Sequence, residues 1–295
     1  MKITKTTKNK GVYEKRIIAF VDILGFSTMI EDSRADTTLR RKIKQAMTIV
    51  RDTHNKDLSD DIRKVTTFSD SAVISYVADE HSSLFYLLID IIHLQLRLGA
   101  LGIMIRGGIV YGDCYHDGDI VFGPAMNEAY WLESKIAKWP RVVITKDTLD
   151  KAIDESVDHG TYTYDCEVEE IGGCIQKDIY TDDSDYAGEM YFVDYLRQSQ
   201  ELIDYGDEYL EWLRAFREAI ISGLNRYSPK NGKQALSKAD AKKIFGKYRH
   251  TLKYWNSVVG DDNAAMPVPQ LEKEDQIAFR KMYKELVISK RYPYI

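Results

Sequence analysis

The sequence predicts an α/β (α+β) protein with a helical C-terminal part, and two patterns carry this prediction. Over Arg16–Thr145, short apolar runs of β-type residues alternate with helical patterns, which is typical of an α/β fold. After Leu196 the pattern changes to long amphipathic helical segments. We therefore predict a flexible arm at 1–15, an α/β domain at 16–196 and a helical region at 197–295.

Strands and helices of the α/β domain follow from local periodicity and turn residues. Short apolar runs predict five strands, which are Ile17–Ile23, Ile62–Phe68, Ala72–Val77, Ile103–Tyr111 and Val142–Thr145. The second and third strands flank Ser69-Asp70-Ser71, which predicts a hairpin. Helical periodicity predicts three helices, which are Thr37–His54, Ser82–Gly99 and Asn127–Lys138.

Leu84–Leu98 is the most apolar segment of the chain, but it carries Asp90, His93 and Arg97. These three residues form one polar stripe on a helix, so we predict a core helix and not a membrane span. The chain after Thr145 predicts a short helix followed by β-like pieces. Further on, periodicity predicts three helices, which are Ser199–Leu224, Ala239–Val258 and Glu272–Lys290.

Composition excludes several classes of function. The net charge of −5 argues against a nucleic-acid binder, and the basic N-terminus lacks the apolar stretch of a signal peptide. Three cysteines without metal-type spacing fit a reducing cytosol, and the six scattered histidines do not predict a zinc site. We therefore expect a cytoplasmic protein without a nucleic-acid or membrane partner.

Asp22 interrupts the apolar run Ile17–Leu24, where an unpaired buried carboxylate would be costly. Asp70, at the tip of the predicted hairpin, is a plausible neighbour, since both aspartates lie at strand ends beside glycine or serine. Two adjacent carboxylates repel each other unless cations lie between them, and oxygen ligands favour Mg²⁺ or Mn²⁺. Each aspartate has a simpler interpretation, Asp22 as a helix N-cap and Asp70 as a turn former.

Four motifs resemble those of class III nucleotidyl cyclases, in the order that this family has. They are "FVDILGF" at 20–26, "FSDS" at 68–71, "RGGIVYG" at 106–112 and "DIVFGPAMNEAYW" at 119–131. The resemblance covers Arg16–Thr145 and implies a ferredoxin-like cyclase core with a central, mostly antiparallel sheet.

The resemblance also implies roles for individual residues. Asp22 and Asp70 would bind two divalent metal ions, Mn²⁺ or Mg²⁺, with the Ile23 carbonyl as a further ligand. The amides of Leu24, Gly25 and Phe26 would face the β- and γ-phosphates. Asn127 would position the ribose from the other chain of a head-to-tail homodimer with shared active sites.

The chain departs from the purine cyclases at three positions. Thr66 stands where they carry a base-reading lysine, and Ile120 where they carry an aspartate, which Asp119 matches only after a one-residue shift. Trp131 replaces the arginine that stabilises the transition state. Candidate replacements for that cation are Lys135, Arg106 and Arg141.

A changed base pocket and the "RGGI…AYWLE…PRVVIT" run make the chain similar to the Pycsar pyrimidine cyclases of bacterial antiphage defence. We therefore expect a uridylate cyclase that converts UTP to cyclic UMP, with Thr66 at the base and a separate cyclic-nucleotide-binding effector. Cytidylate cyclase is the first alternative, because uracil and cytosine differ at one edge. An adenylate cyclase using Lys64 and a catalytically dead cyclase-like binding protein are the others.

Overall fold

The protein is described by a computed structural model over residues 12–52, 61–157, 163–178, 188–203, 206–228 and 237–259. Its strands are β1 (Glu14–Ile23), β2 (Arg63–Phe68), β3 (Ser71–Val77), β4 (Ile105–Asp117), β5 (Ile120–Phe122), β6 (Val142–Thr145), β7 (Ile175–Lys177) and β8 (Met190–Val193). Its helices are α1 (Phe26–Ser33), α2 (Thr37–Arg51), α3 (Ser83–Ala100), α4 (Pro124–Trp131), α5 (Lys146–Ser156), α6 (Thr163–Gly173), α7 (Tyr195–Leu202), α8 (Gly206–Arg226) and α9 (Lys238–Val259). A π turn (Leu132–Ile136) extends α4.

The strands form one sheet in the order β2-β3-β1-β4-β6-β8-β7, with β5 paired to β4 alone. Only the β4–β6 pair is parallel among the described strands. The first four strands and the helices between them follow a βαββαβ path, which is the ferredoxin-like arrangement. The predicted fold class, a mostly antiparallel sheet with helices on it, is confirmed.

All five predicted strands are present, and β6 has the predicted bounds. The predicted arm 1–15 includes Glu14 and Lys15, but the structure places both residues in β1, where they pair with Cys114 and Asp113. Residues 1–11 of the predicted arm lie outside the described residues. The predicted helix Asn127–Lys138 begins earlier, at Pro124, because proline suits the first turn of a helix.

Helix α3 is the core helix that its sequence predicts. By length and composition it is the one described helix that could cross a membrane, but most of it is buried inside the protein. Its buried positions include Leu84, Leu87, Leu88 and Ile91, none of them exposed at all. The apolar composition of α3 is therefore explained by its place in the core.

The C-terminal helices pack on the α/β part and share its hydrophobic core. On α8, Trp212 Nε1 donates a hydrogen bond of 2.8 Å to the Leu96 carbonyl of α3. On α9, the Tyr254 hydroxyl donates to Asp194 Oδ1 at 2.6 Å and accepts from the Leu196 amide at 3.1 Å. The single helix predicted over Ser199–Leu224 is divided into α7 and α8, and the helix predicted over Glu272–Lys290 lies outside the described residues.

Candidate active site

Asp22, Asp70 and Arg106 meet at one end of the sheet because of strand register. Asp22 is paired with Ser71 of β3 on one side and with Arg106 of β4 on the other. Asp70 lies in the β2–β3 turn, where its carbonyl accepts a 3.1 Å hydrogen bond from the Ile23 amide. The sequence-predicted proximity of Asp22 and Asp70 is therefore present in the fold.

The Asp22 carboxylate is half-buried among partners of both signs. It accepts a hydrogen bond of 3.0 Å from Ser71 Oγ and lies 3.5 Å from the Arg106 guanidinium. Burial is the main cause that raises the pKa of Asp22 above its ordinary value, and the nearby Asp70 carboxylate raises it further. A positive charge added at this point would therefore favour the ionised form of Asp22.

Asp22→Asn is expected to leave the metal-free protein at least as stable as wild type at neutral pH. The folded-state pKa of Asp22 is raised, so between the unfolded and the folded pKa values the native state binds more protons than the unfolded state. The wild type should lose stability relative to Asp22→Asn as pH rises through the interval between the two pKa values, and the difference should then stay constant. Urea unfolding from pH 3 to 8 measures this difference, and a variant less stable than wild type at pH 7 would contradict it.

The β1–α1 turn carries the predicted phosphate-binding amides. Gly25 precedes α1 with φ 75, a left-handed conformation that glycine adopts without strain. Phe26 opens α1, and the first amides of a helix have no partners within it. The Leu24 amide is different, because it donates to the Met104 carbonyl at 2.9 Å and is not free for a phosphate. The predicted role of the Leu24 amide is therefore corrected, and Gly25 and Phe26 keep theirs as predictions.

Thr66 is buried and its hydroxyl is already hydrogen-bonded. Its Oγ1 donates to the Gly118 carbonyl at 2.7 Å and lies 2.8 Å from His116 Nε2, while His116 Nδ1 lies 2.7 Å from Ser75 Oγ. Burial, together with nearby Arg16 and Lys64, lowers the pKa of His116 to about 3, so this imidazole is neutral. Thr66 therefore holds the β4–β5 turn next to Asp119 through a hydroxyl bonded within its own chain, and its contact with the base stays a prediction.

Lys64, the alternative base-reading lysine, is also engaged. Its Nζ donates to the His116 carbonyl at 2.6 Å and lies 3.4 Å from Asp117 Oδ1. The β4–β5 turn is thus connected to β2 through both Lys64 and Thr66.

Asn127 and Lys135 are exposed, on α4 and on the π turn that follows it. Within the described part of the chain, no hydrogen bond or ion pair joins the Asn127 side chain to Asp22 or Asp70. Trp131, four residues after Asn127, is 39% exposed, and Tyr130 beside it is 55% exposed. Lys135 is exposed on the π turn. The described residues therefore show no polar contact between Asn127 and the two aspartates of its own chain.

Arg106 is the one of the three candidate cations that lies beside Asp22. Its Nε is 2.6 Å from Glu133 Oε1, so this guanidinium bridges two carboxylates. Arg141 is instead buried, forms an ion pair with Asp178 and stacks on Trp139 at 4.6 Å, which is a structural arrangement. Sequence reasoning missed Glu133, although it follows the buried Ala125 and Ala129 at helical i+4 spacing and therefore lies on the inward face of this segment.

The aspartates fit a hard divalent cation by the chemistry of their donors. Asp22 and Asp70 offer oxygen atoms only, and a cation would relieve their mutual repulsion. In the described residues no group of three or more His, Cys, Asp or Glu side chains is gathered for a metal. The remaining ligands would have to be peptide oxygens, water or substrate phosphates, as is common for Mg²⁺.

Comparison with known proteins gives structural likeness only. No protein-family model matches the chain, and no curated protein matches it. Among solved structures, the adenylyl cyclase CyaB from P. aeruginosa aligns with 61% of this chain and 94% of its own, at 16% identity and a TM-score of 0.44.

Two further solved structures are similar at the same level. A bacterial light-regulated adenylyl cyclase aligns with 70% of this chain and 98% of its own, at 15% identity and a TM-score of 0.42. The non-canonical dimeric guanylyl cyclase domain of a fusion protein from the aquatic fungus Blastocladiella emersonii aligns with 61% of this chain and 96% of its own, at 17% identity and a TM-score of 0.41.

Proposed function

We propose that this chain is a metal-dependent nucleotidyl cyclase that converts UTP to 3′,5′-cyclic UMP and pyrophosphate. The observation that carries the proposal is the meeting of Asp22 with the Asp70 turn beside the N-terminus of α1. Carboxylates for two divalent ions and free amides for phosphates are the parts that this reaction needs. The four motifs in cyclase order support the same assignment.

Each residue of the site then has a task. Asp22 and Asp70, with the Ile23 carbonyl, would hold two Mn²⁺ or Mg²⁺ ions, which when bound acidify the ribose 3′-hydroxyl and neutralise the triphosphate. The Gly25 and Phe26 amides donate to the phosphates at the positive end of α1. Arg106 lies 3.5 Å from Asp22, so it supplies the cation that Trp131 cannot.

The active site is proposed to be completed by a second copy of the chain. The exposure of Asn127, and the exposed apolar side chains of Phe122, Tyr130 and Trp131 near it, support a partner surface on this side of the fold. Lys135, exposed on the same segment, is a second candidate cation in the partner's site.

Complementation tests the shared site. The chain is expected to sediment as a dimer, and a mixture of inactive Asp70→Ala and inactive Asn127→Ala chains should regain activity. In a mixed head-to-tail dimer, one of the two sites receives both wild-type halves, so about a quarter of wild-type activity is expected from random exchange of equal amounts. Activity that stays absent after confirmed subunit exchange would indicate a site within one chain.

Incubation with each of ATP, GTP, CTP and UTP in the presence of Mn²⁺, with product chromatography, tests the function itself. Cyclic UMP as the main product would support the proposal. Cyclic CMP would support the first alternative, and cyclic AMP the adenylate cyclase, which needs the already engaged Lys64 to move. If no nucleotide gives a cyclic product, the remaining alternative is the catalytically dead cyclase-like binding protein.

The cellular role proposed here is that of the signal-generating enzyme in an antiphage defence system. Its support is the similarity to Pycsar cyclases over the "RGGI…AYWLE…PRVVIT" run. Cyclic UMP would act on a separate effector that binds cyclic nucleotides. The protein would work in the cytoplasm, where its substrate is present.

A further inference from the structure

A cavity of about 420 Å³ lies between the β1–α1 turn and the C-terminal helices. This size is within the usual range for small-molecule sites, about 300–1,000 Å³. Its wall near the active site includes Leu24, Gly25 and Thr28, and its opposite wall is formed by α8 and α9. The cavity therefore begins where the proposed phosphate-binding amides are.

The cavity is lined by three cations and one carboxylate. Arg226 of α8 is neutralised by Asp32 of α1, with Nη1 2.7 Å from Oδ2. Lys42 of α2 and Lys247 of α9 have no carboxylate within ion-pair distance in the part of the chain that the structure describes. Three positive charges and one negative charge leave a net charge of two positive units in a half-enclosed space.

Partial burial destabilises the charged form of Lys42 and of Lys247. Burial lowers the pKa of Lys42, and burial with the nearby Arg106 and Lys243 lowers the pKa of Lys247 to about 8. Lys247 also interacts electrostatically with Glu133 and Asp22, so it lies between the cavity and the carboxylate cluster. An anion in the cavity would offset this cost at both lysines.

The position of Lys247 is set by the packing of α9. A side-chain carbon on Gly223 of α8 would lie 2.3 Å from the Tyr248 ring, so the two helices are in close contact next to Lys247. One turn further along α9, Thr251 Oγ1 donates to the Lys247 carbonyl at 3.0 Å, and Tyr254 binds Asp194 of the α/β part. Helix α9 therefore presents Lys247 to the cavity from a fixed backbone.

We propose that α9 completes the phosphate end of the active site within the same chain: Lys247 and Lys42 bind the β- and γ-phosphates of the substrate and the pyrophosphate that leaves. This inference rests on the proposed function for the identity of the anion. It gives the C-terminal helices a part in substrate binding. Lys247 and Lys42 contact the substrate without taking a proton from it.

Binding of inorganic pyrophosphate in EDTA tests this inference without turnover. Isothermal titration calorimetry should show binding to wild type and a dissociation constant raised about tenfold by Lys247→Gln or Lys42→Gln, the loss of one charged hydrogen bond. Lys242→Gln is the matched control, because Lys242 is exposed on α9 and does not line the cavity. No binding to wild type, or equal binding by all variants, would overturn the inference.

Ser222→Glu adds a test from the opposite wall. Ser222 is exposed on α8 and lines the cavity, so glutamate is tolerated there while its charge repels an anion. Pyrophosphate binding should weaken, and the KM for the nucleotide should rise by a similar factor in an active enzyme.

The two proposals fail in different ways. If cyclase activity is present but Lys247→Gln and Ser222→Glu leave both the KM for the nucleotide and pyrophosphate binding unchanged, this inference is wrong and the proposed function stands. If pyrophosphate binding depends on Lys247 but no nucleotide is cyclised, the anion site stands and the proposed function is wrong.

Discussion

Asp22→Asn and Asp70→Asn are each expected to lower cyclic nucleotide formation by at least about a thousandfold, or about 4 kcal/mol at 1.36 kcal/mol per decade. Asparagine keeps the size of the side chain but removes the negative charge that holds a divalent ion. Asp22 is the stricter test, because its side chain is already held by Ser71 and Arg106, which asparagine at the same size does not displace. Steady-state product formation in Mn²⁺ measures the effect.

The effect of Mn²⁺ on the melting temperature distinguishes a variant that has lost a metal ligand from a variant that has lost its fold. Mn²⁺ should raise the melting temperature of wild type and fail to raise that of either variant, since only a native-state ligand shifts unfolding. Asp113→Asn is the matched control, as its carboxylate pairs with Lys15 on the same sheet. Near-normal turnover in either asparagine variant would contradict the two-metal assignment.

UTP is expected to be cyclised over ATP and GTP by at least about 100-fold in specificity, or about 2.7 kcal/mol at 1.36 kcal/mol per decade. Position 66 lacks the lysine and position 120 the aspartate that read a purine in the class III purine cyclases whose motifs the sequence resembles. A site built for one base leaves polar groups unpaired with another, which is a large source of discrimination. Competition between equimolar nucleotides measures it, and cyclic AMP as the main product would refute it.

The buried position of Thr66 changes what a mutation there should do. Thr66→Val removes the hydrogen bond to the Gly118 carbonyl and should loosen the β4–β5 turn that carries Asp119. We expect selectivity for UTP to fall while turnover of UTP remains measurable. Thr67→Val, at the exposed neighbouring position of β2, should leave selectivity unchanged.

The proximity of Asp22 and Asp70 could be predicted from the sequence because antiparallel strands have simple geometry. A hairpin tip and a strand end must meet if the strands are neighbours, and Asp22 and Ser71 are indeed paired. The bounds of β6 were predictable for a similar reason, since Val142–Thr145 is a short apolar run between turn residues.

Other parts of the site depend on contacts that periodicity does not encode. The ion pair between Glu133 and Arg106 joins the segment after α4 to β4, and helical periodicity does not show which strand this buried carboxylate faces. The hydrogen bond from the Thr66 hydroxyl to the Gly118 carbonyl forms because the β4–β5 turn lies next to β2 in the folded chain. Lys247 is at the cavity because α9 docks through Tyr248 and Tyr254, which is a result of tertiary packing.

The contact of Trp212 with α3 has a consequence for biosynthesis. Leu96 and Trp212 are 116 residues apart in the sequence. At a ribosomal rate of about 5–20 residues per second, Trp212 is therefore synthesised about 6 to 23 s after the face of α3 on which it packs. During that interval the most apolar helix of the protein exposes the surface around Gly99 that Trp212 and Phe216 later occupy. Chaperone capture of the nascent chain is therefore expected in this window, and nascent chains that end before α8 should aggregate.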